Sequence, residues 1–373
     1  MGILRRPGPR ARSWTTPLAC RAPLVLVLVL AQAIPALATA ADWSPVPVWV
    51  WDPPFDTASP RSQQQYEALG EASEEWRICA SIPHLKDAYW LGVNYGLVDQ
   101  ARRLDVSLNL FEAGGYENLD NQIRQIESCV NDGTQALIVS AIDYDGLNPT
   151  LEKVHAKGIP VIDLINGVSF SDVSAKSLGD FYDNGFAIGD YLVKQSEGSS
   201  DTVTVLWFPG PEGAGWVSRG DLGFRDAIRN ANVQILATKY GDTGKKAQGK
   251  LVEAALEEHP DADYVVGTAV TAEAAVDIIR RKRRKGRTEV MAYYFGPGVH
   301  RGISRGTIVA APSDLPAIQA RIAVDQAVRI LQGVPYLKHV GPEVVVADRK
   351  SLKDFDLSTS LAPKGFKATF DVN

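Results

Sequence analysis

Residues 77–111 read RICASIPHLKDAYWLGVNYGLVDQARRLDVSLNLF, and this stretch decides the fold. It starts with a short apolar run (77–82), which predicts a buried strand. Residues 90–104 then carry apolar side chains at helical spacing, and residues 106–111 alternate as a half-exposed strand does. A strand, a helix and a strand in this order predict a βαβ unit with parallel strands and a right-handed crossover.

The same alternation continues along the chain in two series. The first series ends with the apolar run 160–164, and the second extends from about residue 175 to residue 332. The predicted fold class is therefore α/β, with two similar doubly wound parallel-sheet lobes and a hinged cleft between them. The predicted segments are a signal peptide (1–40), an N-terminal arm (41–75), an N-terminal lobe (76–166 and 295–335), a C-terminal lobe (167–294 and 336–350) and a C-terminal tail (351–373).

Residues 1–40 have the features of a secretion signal. Five arginines, an apolar stretch at 22–34 and the sequence Ala38-Thr39-Ala40 predict cleavage after Ala40 and a periplasmic location. A transmembrane anchor would need about 20 apolar residues, which this run lacks. The leader contains no acidic residue, so its removal takes the formal charge from −5 to about −10. Such an acidic chain favours neither nucleic-acid binding nor direct membrane insertion.

Two cysteines, Cys79 and Cys129, follow the leader. Cys79 falls in the first predicted strand and Cys129 near the end of the second predicted helix, both away from the ligand edge of the sheet. In an exported protein such a pair predicts a disulfide, since no further soft ligand lies nearby to complete a metal site. Two buried free thiols are the alternative.

Two glycine-rich segments resemble catalytic or nucleotide-binding motifs but lack the required context. GISRG at 302–306 matches a nucleophile-elbow string, yet a helical turn precedes it and a strand follows, which is the reverse of the required order. GPEGAG at 210–215 follows a strand but lacks the dinucleotide spacing, and we interpret it as a tight turn. We predict no catalytic residue, no metal site and no cofactor, with His84 the histidine nearest the cleft.

The segment RRKRRKGR at 280–287 is the densest run of charge. It follows a predicted helix, whose C-terminal end attracts cations, so a solvated helix end is the first interpretation. A docking patch for an acidic partner is the alternative.

Aromatic residues cluster where predicted strands end. Tyr89 and Trp90 follow the first strand, Tyr116 the second, Phe181 the first strand of the second series and Tyr294 a later one. Ligands of open α/β sheets bind at the carboxyl ends of strands, so these side chains are expected to converge on the cleft. Together with the carboxylate of Asp87 they predict a cage for a small cationic or zwitterionic group.

Several strings also resemble a known family. The chain is similar to the trimethylamine N-oxide-sensing members of the type I periplasmic-binding-protein family, and the matching strings are KDAYWL at 86–91 with NYG at 94–96, EAGGY at 112–116, GP at 210–211, GTA at 267–269 with AEAA at 272–275, and AV at 323–324 with QA at 326–327. KDAYWL with NYG, and EAGGY, are the most specific of these matches; the others are shared more loosely with sugar-binding members of the family. One departure is Phe181, where the family members carry tryptophan.

The resemblance implies a non-enzymatic receptor for trimethylamine N-oxide or a similar methylated amine or N-oxide. It further implies a membrane sensor histidine kinase ectodomain as partner. The ligand-binding residues it implies are Asp87, Tyr89, Trp90, Tyr116, Phe181 as a second-lobe aromatic, and Tyr294 as a hinge tyrosine. The alternative function is the solute-binding receptor of an ABC importer for a sugar or other small polar solute. A nucleotide-using oxidoreductase ranks third, because the fingerprint is absent.

Overall fold

The computed structural model describes residues 43–198, 200–282 and 287–373, together with the isolated residues 2 and 8. The predicted signal peptide and its cleavage site lie outside the described residues. In chain order the strands are β1 (Val46–Trp51), β2 (Arg61–Tyr66), β3 (Arg77–Ile82), β4 (Ser107–Glu112), β5 (Ala136–Val139), β6 (Val161–Leu164), β7 (Ala175–Ser177), β8 (Val203–Phe208), β9 (Val233–Thr238), β10 (Tyr264–Gly267), β11 (Glu289–Ala292), β12 (Ala310–Ser313), β13 (His339–Pro342), β14 (Val345–Asp348) and β15 (Asp371–Val372).

The helices alternate with these strands as the sequence predicts. They are α1 (Tyr89–Arg103), α2 (Leu119–Asn131), α3 (Asn148–Ala156), α4 (Phe181–Ser196), α5 (Gly215–Ile228), α6 (Lys245–Glu258), α7 (Ala269–Arg281), α8 (Pro297–Arg305) and α9 (Pro316–Gln332), with short 3₁₀ turns at Ser351–Lys353 and Leu357–Thr359. Gly133 and Gly158 have positive φ angles of 79° and 75°, and end α2 and α3 as predicted. None of the helices in the described segments has the length and apolar character needed to cross a bilayer.

The first lobe is built on a nine-stranded sheet in the order β15-β4-β3-β5-β6-β7-β13-β1-β2. Its central strands are parallel and are covered on both faces. On β3, Ile78 and Ile82 pack into the cluster that contains α1, whereas Cys79 points to the opposite cluster with Ile126 of α2. Two covered faces explain why these strands are continuously apolar.

The second lobe has a parallel sheet in the order β9-β8-β10-β11. Its helices α4 and α5 pack closely because glycines face each other across the contact. A Cβ atom on Gly185 would lie 2.0 Å from the carbonyl oxygen of Gly220, and one on Gly223 would lie 2.0 Å from that of Tyr182. A methyl group at either position would push the helices apart.

The chain crosses between the lobes at other positions than the sequence predicts. Strand β7, assigned to the second series, pairs with β6 and β13 in the first sheet. Helix α8 and strand β12, assigned to the first lobe, stay with the second, because β12 pairs with β14 and packs beside β11. The return crossing therefore lies at Asp314 and Leu315, just before α9. Strands β7 and β12 are only three and four residues long, which is too short for a sequence pattern to show which sheet each one joins.

The predicted arm and tail also join the first lobe. Residues 46–66 form a hairpin, in which β1 pairs with β13 and β2 adds the outer edge. Val46, Val48 and Val50 alternate on the buried face, but Pro47 and Trp49 between them conceal the pattern. At the other end, β15 pairs with β4.

Cys79 and Cys129 form a disulfide in the structure, with Cα atoms 6.0 Å apart. The bond links β3 to the end of α2 across 50 residues, and the chain-entropy relation gives about 4 kcal/mol of stabilisation for such a loop. We expect the mature, unreduced and denatured protein to show no free thiol in a thiol-counting assay. Two reactive thiols per chain would contradict this prediction.

Candidate ligand-binding site

A small cavity lies in the cleft between the lobes, and we call it the aromatic chamber. The first lobe contributes the loops after β3, β4 and β6, and the second lobe contributes the start of α4, the start of α5 and the segments after β9 and β11. The structure brings all the predicted ligand residues to its wall. The complete lining is Asp87, Tyr89, Trp90, Tyr116, Ile165, Asn166, Phe181, Trp216, Thr243 and Tyr294.

Asp87 supplies a buried carboxylate to the aromatic chamber. It accepts hydrogen bonds from the hydroxyl of Tyr294 at 2.6 Å and from the backbone N–H of Tyr89 at 3.0 Å. Burial raises the pKa of Asp87 to about 6, despite these two donors, and the nearby carboxylates of Glu273 and Asp242 act in the same direction. The Asp87 carboxylate is thus a hydrogen-bond acceptor, and no cationic side chain of the described residues forms an ion pair with it.

The contact between Asp87 and Tyr294 joins the two lobes. Tyr294 follows β11 inside the second lobe, whereas a hinge tyrosine would lie where the chain crosses between the lobes. The expectation of a hinge tyrosine is therefore corrected. Tyr294 instead holds the lobes together by a hydrogen bond across the cleft. Tyr89 makes a corresponding contact with the crossing itself, since its hydroxyl donates to Asp314 at 2.6 Å. Burial raises the pKa of Asp314 above that of an ordinary aspartate.

Aromatic rings enclose the rest of the chamber. Tyr89 meets Trp90 edge-to-face at 5.5 Å and Tyr294 at 5.3 Å. Trp216 lies 5.4 Å from Phe181 and 6.1 Å from Tyr116. These separations and tilts are those that aromatic pairs prefer, so the rings form one continuous wall from both lobes.

Sequence reasoning missed Trp216. It treated 210–215 as a tight turn only, whereas α5 starts at Gly215 and places Trp216 in its first turn. Gly210 and Gly213 have positive φ angles of 126° and 88°, and this turn aims the indole into the cleft. The usable signal was an aromatic residue immediately after a glycine turn at the carboxyl end of a strand.

The indole N–H of Trp216 has no acceptor within hydrogen-bond distance, although Trp216 is only 4% exposed; it does lie close enough to the hydroxyl of Tyr116 to favour the ionised form of that tyrosine. Of the buried side-chain polar atoms that line the chamber, all of which belong to described residues, it alone is unpaired. Beside it, the amide of Asn166 donates to the hydroxyl oxygen of Tyr116 at 3.2 Å and to the carbonyl of Ala141 at 2.7 Å. That end of the chamber is therefore rich in donors, opposite in character to the Asp87 end.

Backbone strain also marks the site. Ile165, on the chamber wall after β6, has a φ angle of 65°, a conformation that β-branched residues rarely adopt. Strained residues of this kind concentrate at ligand sites, where the surrounding structure holds them in place. The strain positions Asn166, which orients Tyr116.

His84 helps to close the cleft from behind the chamber. It is fully buried, and its Nε2 atom lies 3.0 Å from the hydroxyl oxygen of Thr243 in the second lobe. Burial lowers the pKa of His84 to about 4. The ring therefore stays neutral at the pH values where Asp87 titrates.

Comparisons with known proteins identify the family. Residues 78–335 match the model of the periplasmic binding protein domain. This chain belongs to the periplasmic binding protein family. Members of the family are ligand binders without enzymatic activity, so this periplasmic binding protein is a receptor and not an enzyme.

Three relatives place this periplasmic binding protein within its family. It is 36% identical to the periplasmic protein TorT of Escherichia coli K12 over 300 residues, which is 80% of this chain and 86% of TorT. A solute-binding protein of an ABC transporter from Bradyrhizobium sp. BTAi1, solved with bound Bis-Tris, shares 50% identity with a TM-score of 0.78, covering 88% of this chain and 99% of that one. The complex of TorT with the TorS sensor domain in the presence of TMAO gives 31% identity and a TM-score of 0.73 over 79% and 99%.

The other motifs of this periplasmic binding protein serve structure. The hydroxyl of Ser304 donates to the carbonyl of His300 one turn earlier in α8, and strand β12 follows, so GISRG has the helix-before-strand order that the sequence predicts. At the end of α7, Arg280 pairs with Asp277 and Lys282 with Glu257, as expected for a solvated helix end, while 283–286 lie outside the described residues. No group of three or more potential metal-ligating side chains occurs in the described segments.

The raised pKa of Asp87 predicts that binding of a cation depends on pH. A permanent cation such as tetramethylammonium favours the ionised carboxylate and competes with its proton. Affinity should therefore be constant above about pH 7 and fall by up to tenfold per pH unit below about pH 6. Calorimetry between pH 5 and pH 8 measures this, with Asp87→Asn as the matched control, whose profile should be flat. A wild-type profile that is equally flat would contradict the prediction.

Proposed function

We propose that this periplasmic binding protein binds trimethylamine N-oxide or a similar methylated amine or N-oxide in the aromatic chamber and signals its presence to a membrane sensor histidine kinase. The observation that carries the proposal is the composition of the chamber. A buried carboxylate, that of Asp87, shares one small space with aromatic rings from both lobes.

The chemistry of such a ligand matches the two ends of the chamber. Methyl groups on a positive nitrogen cannot donate strong hydrogen bonds, and aromatic faces attract them at about 0.5–2 kcal/mol per ring. The carboxylate of Asp87 complements the positive charge. An oxygen on the ligand requires donors instead, and these are available around Trp216 and Tyr116 at the other end of the chamber.

The arrangement between the lobes supports a signalling role. Because each lobe supplies part of the wall, a ligand contacts both only when the cleft is closed, and it favours the closed state by its differential affinity. A partner that contacts both lobes would respond to this change. The similarity to TorT, whose complex with the TorS sensor domain has been solved, supports a sensor ectodomain as that partner.

The second candidate function is the solute-binding receptor of an ABC importer. The 50% identity to an ABC transporter solute-binding protein favours it. That protein was solved with bound Bis-Tris, a hydroxylated tertiary amine, so this alternative differs from the first in the partner and allows the same class of ligand. The two candidate functions therefore differ in the membrane partner of the closed receptor, which is a sensor kinase in the first and a permease in the second.

Two experiments test the proposal. A thermal-shift and calorimetry panel should show binding of trimethylamine N-oxide, trimethylamine or glycine betaine and none of ribose, with Asp87→Asn as the matched variant. Crosslinking of the exported protein in its native membrane should then recover a sensor kinase in a ligand-dependent manner. Binding of ribose without binding of any methylated amine would overturn the ligand proposal, and ligand-dependent recovery of a permease would favour the importer.

A further inference from the structure

A larger cavity of about 510 Å³ adjoins the aromatic chamber, and we call it the antechamber. The chamber itself encloses only about 10 Å³, close to the volume needed for one water molecule. The two spaces share Ile165, Asn166, Phe181 and Trp216 as a common wall. A methylated head is larger than one water molecule, so it enters the chamber only when the lobes move apart, and an extension of the same ligand then reaches the antechamber.

Three parts of the molecule enclose the antechamber. The first lobe supplies the loop around Asp145, the second lobe supplies the first turn of α5 with Ser218, and the turn of the β1–β2 hairpin supplies Phe55 to Thr57. The hairpin turn is fixed from below, since the backbone N–H of Phe55 donates to Nδ1 of His339 at 3.2 Å. The N-terminal hairpin thus helps to form the site.

The cationic side chains of the antechamber are already paired. Arg219 makes two hydrogen bonds to Asp180, and Lys176 lies 3.1 Å from the buried carboxylate of Asp163. Asp56 and Asp145 add carboxylates to the same wall, and neither contacts a cation among the described residues. The antechamber is consequently acidic, with hydrogen-bond acceptors in excess.

Trp216 connects the two spaces. Its indole lines both of them, and its N–H is the buried donor without a partner described above. Buried donors in native structures are nearly always paired, so a ligand acceptor at this position would complete the site. The indole of Trp216 lies at the boundary between the two cavities, where the head of a ligand would join its arm.

We propose that the physiological ligand carries a neutral, hydroxylated arm that occupies the antechamber. This inference rests on the proposed function, because the methylated amine head is assigned to the aromatic chamber. A hydroxyl can accept from Trp216 and donate to Asp56 or Asp145. A carboxylate arm would face these acidic groups without an unpaired cation to receive it, and an apolar arm would leave the polar wall unsatisfied.

Calorimetry with three probes tests the arm. At pH 7.5 trimethylamine is a cation without an arm, N,N-dimethyl-D-glucamine is a cation with a hydroxylated arm, and γ-butyrobetaine is a cation with a carboxylate arm. We expect the glucamine to bind at least about tenfold more tightly than trimethylamine, as a few net hydrogen bonds allow, and γ-butyrobetaine to bind no more tightly than trimethylamine. A tighter complex with γ-butyrobetaine, or equal affinity for all three, would overturn the proposal.

Ser218→Leu locates the arm. The added side chain fills part of the antechamber and leaves the chamber lining intact, so glucamine binding should fall by about tenfold while the trimethylamine affinity changes by less than about twofold. Ser304→Leu, on the exposed face of α8, is the control and should change neither. Unchanged glucamine binding in Ser218→Leu would place the arm elsewhere and refute the inference. If no methylated amine binds the parent protein, the proposed function fails as well, and the two failures remain distinguishable.

Discussion

Replacing Asp87 with asparagine should weaken the binding of tetramethylammonium by at least about thirtyfold and, at the same time, make the ligand-free protein more stable. Removing one partner from a buried charge interaction costs about 2–5 kcal/mol, which corresponds to this loss of affinity or more. Trimethylamine N-oxide should lose less, because its own oxygen already offsets the charge on its nitrogen. The difference between the affinity losses of the two ligands measures how much the charge of Asp87 contributes to binding.

The gain in stability follows from the raised pKa. The folded state holds the proton of Asp87 with a pKa of about 6, above the ordinary aspartate value of 3.8, so stability decreases as the pH rises between these values. At pH 7 the ionised, buried group costs the ligand-free protein about 3 kcal/mol at most. Asparagine removes this cost but accepts only one of the two hydrogen bonds from Tyr89 and Tyr294, so we expect a gain of about 1–2 kcal/mol.

Opposite signs for affinity and stability distinguish a ligand-binding carboxylate from a structural one. Urea denaturation and calorimetry at pH 7.5 measure the two quantities on the same variant. Asp314→Asn is the matched control, since Asp314 is also buried with a raised pKa but lies outside the lining of the chamber. Its affinity change should stay within about threefold. A destabilised Asp87→Asn protein with normal affinity would show that Asp87 only supports the fold.

The sequence predicted the part of this site that depends on local position. In a parallel sheet the strand ends share one edge, so Asp87, Trp90 and Tyr116 could be placed together without coordinates. The pairing of Tyr89 with Asp314 could not, because these residues are 225 positions apart and meet only through the crossing between lobes. For the same reason the antechamber, which needs the N-terminal hairpin to fold back over the hinge, left no sequence pattern.

Phe181 and Trp216 are a second example of a contact that the sequence alone does not predict. The resemblance draws attention to Phe181, because the family members carry tryptophan at this position. In the structure the indole comes from Trp216, whose ring lies 5.4 Å from that of Phe181. The position of Trp216 beside Phe181 follows from the packing of α4 against α5, which no local sequence pattern reveals.

Truncation of the chamber rings is the other large effect that we expect. Trp90→Ala and Tyr116→Ala should each weaken binding of trimethylamine N-oxide by about five- to thirtyfold, since the loss of one ring from a desolvated cage costs on the order of 1–2 kcal/mol. Trp90→Phe and Tyr116→Phe should retain much of the affinity because an aromatic face remains. Calorimetry on the four variants compares ring loss with ring replacement at the same positions.

The two alanine variants should differ in stability, which separates packing from recognition. Trp90 is only 3% exposed and packs in the hydrophobic core, whereas Tyr116 is partly exposed. Trp90→Ala should therefore also cost about 3–5 kcal/mol of unfolding free energy, and Tyr116→Ala considerably less. If Tyr116→Ala lost affinity while its thermal midpoint stayed near that of the parent, the loss would belong to the ligand contact. Normal affinity in both alanine variants, measured where they are folded, would rule out the aromatic chamber as the binding site and leave the antechamber as the remaining cleft cavity to test.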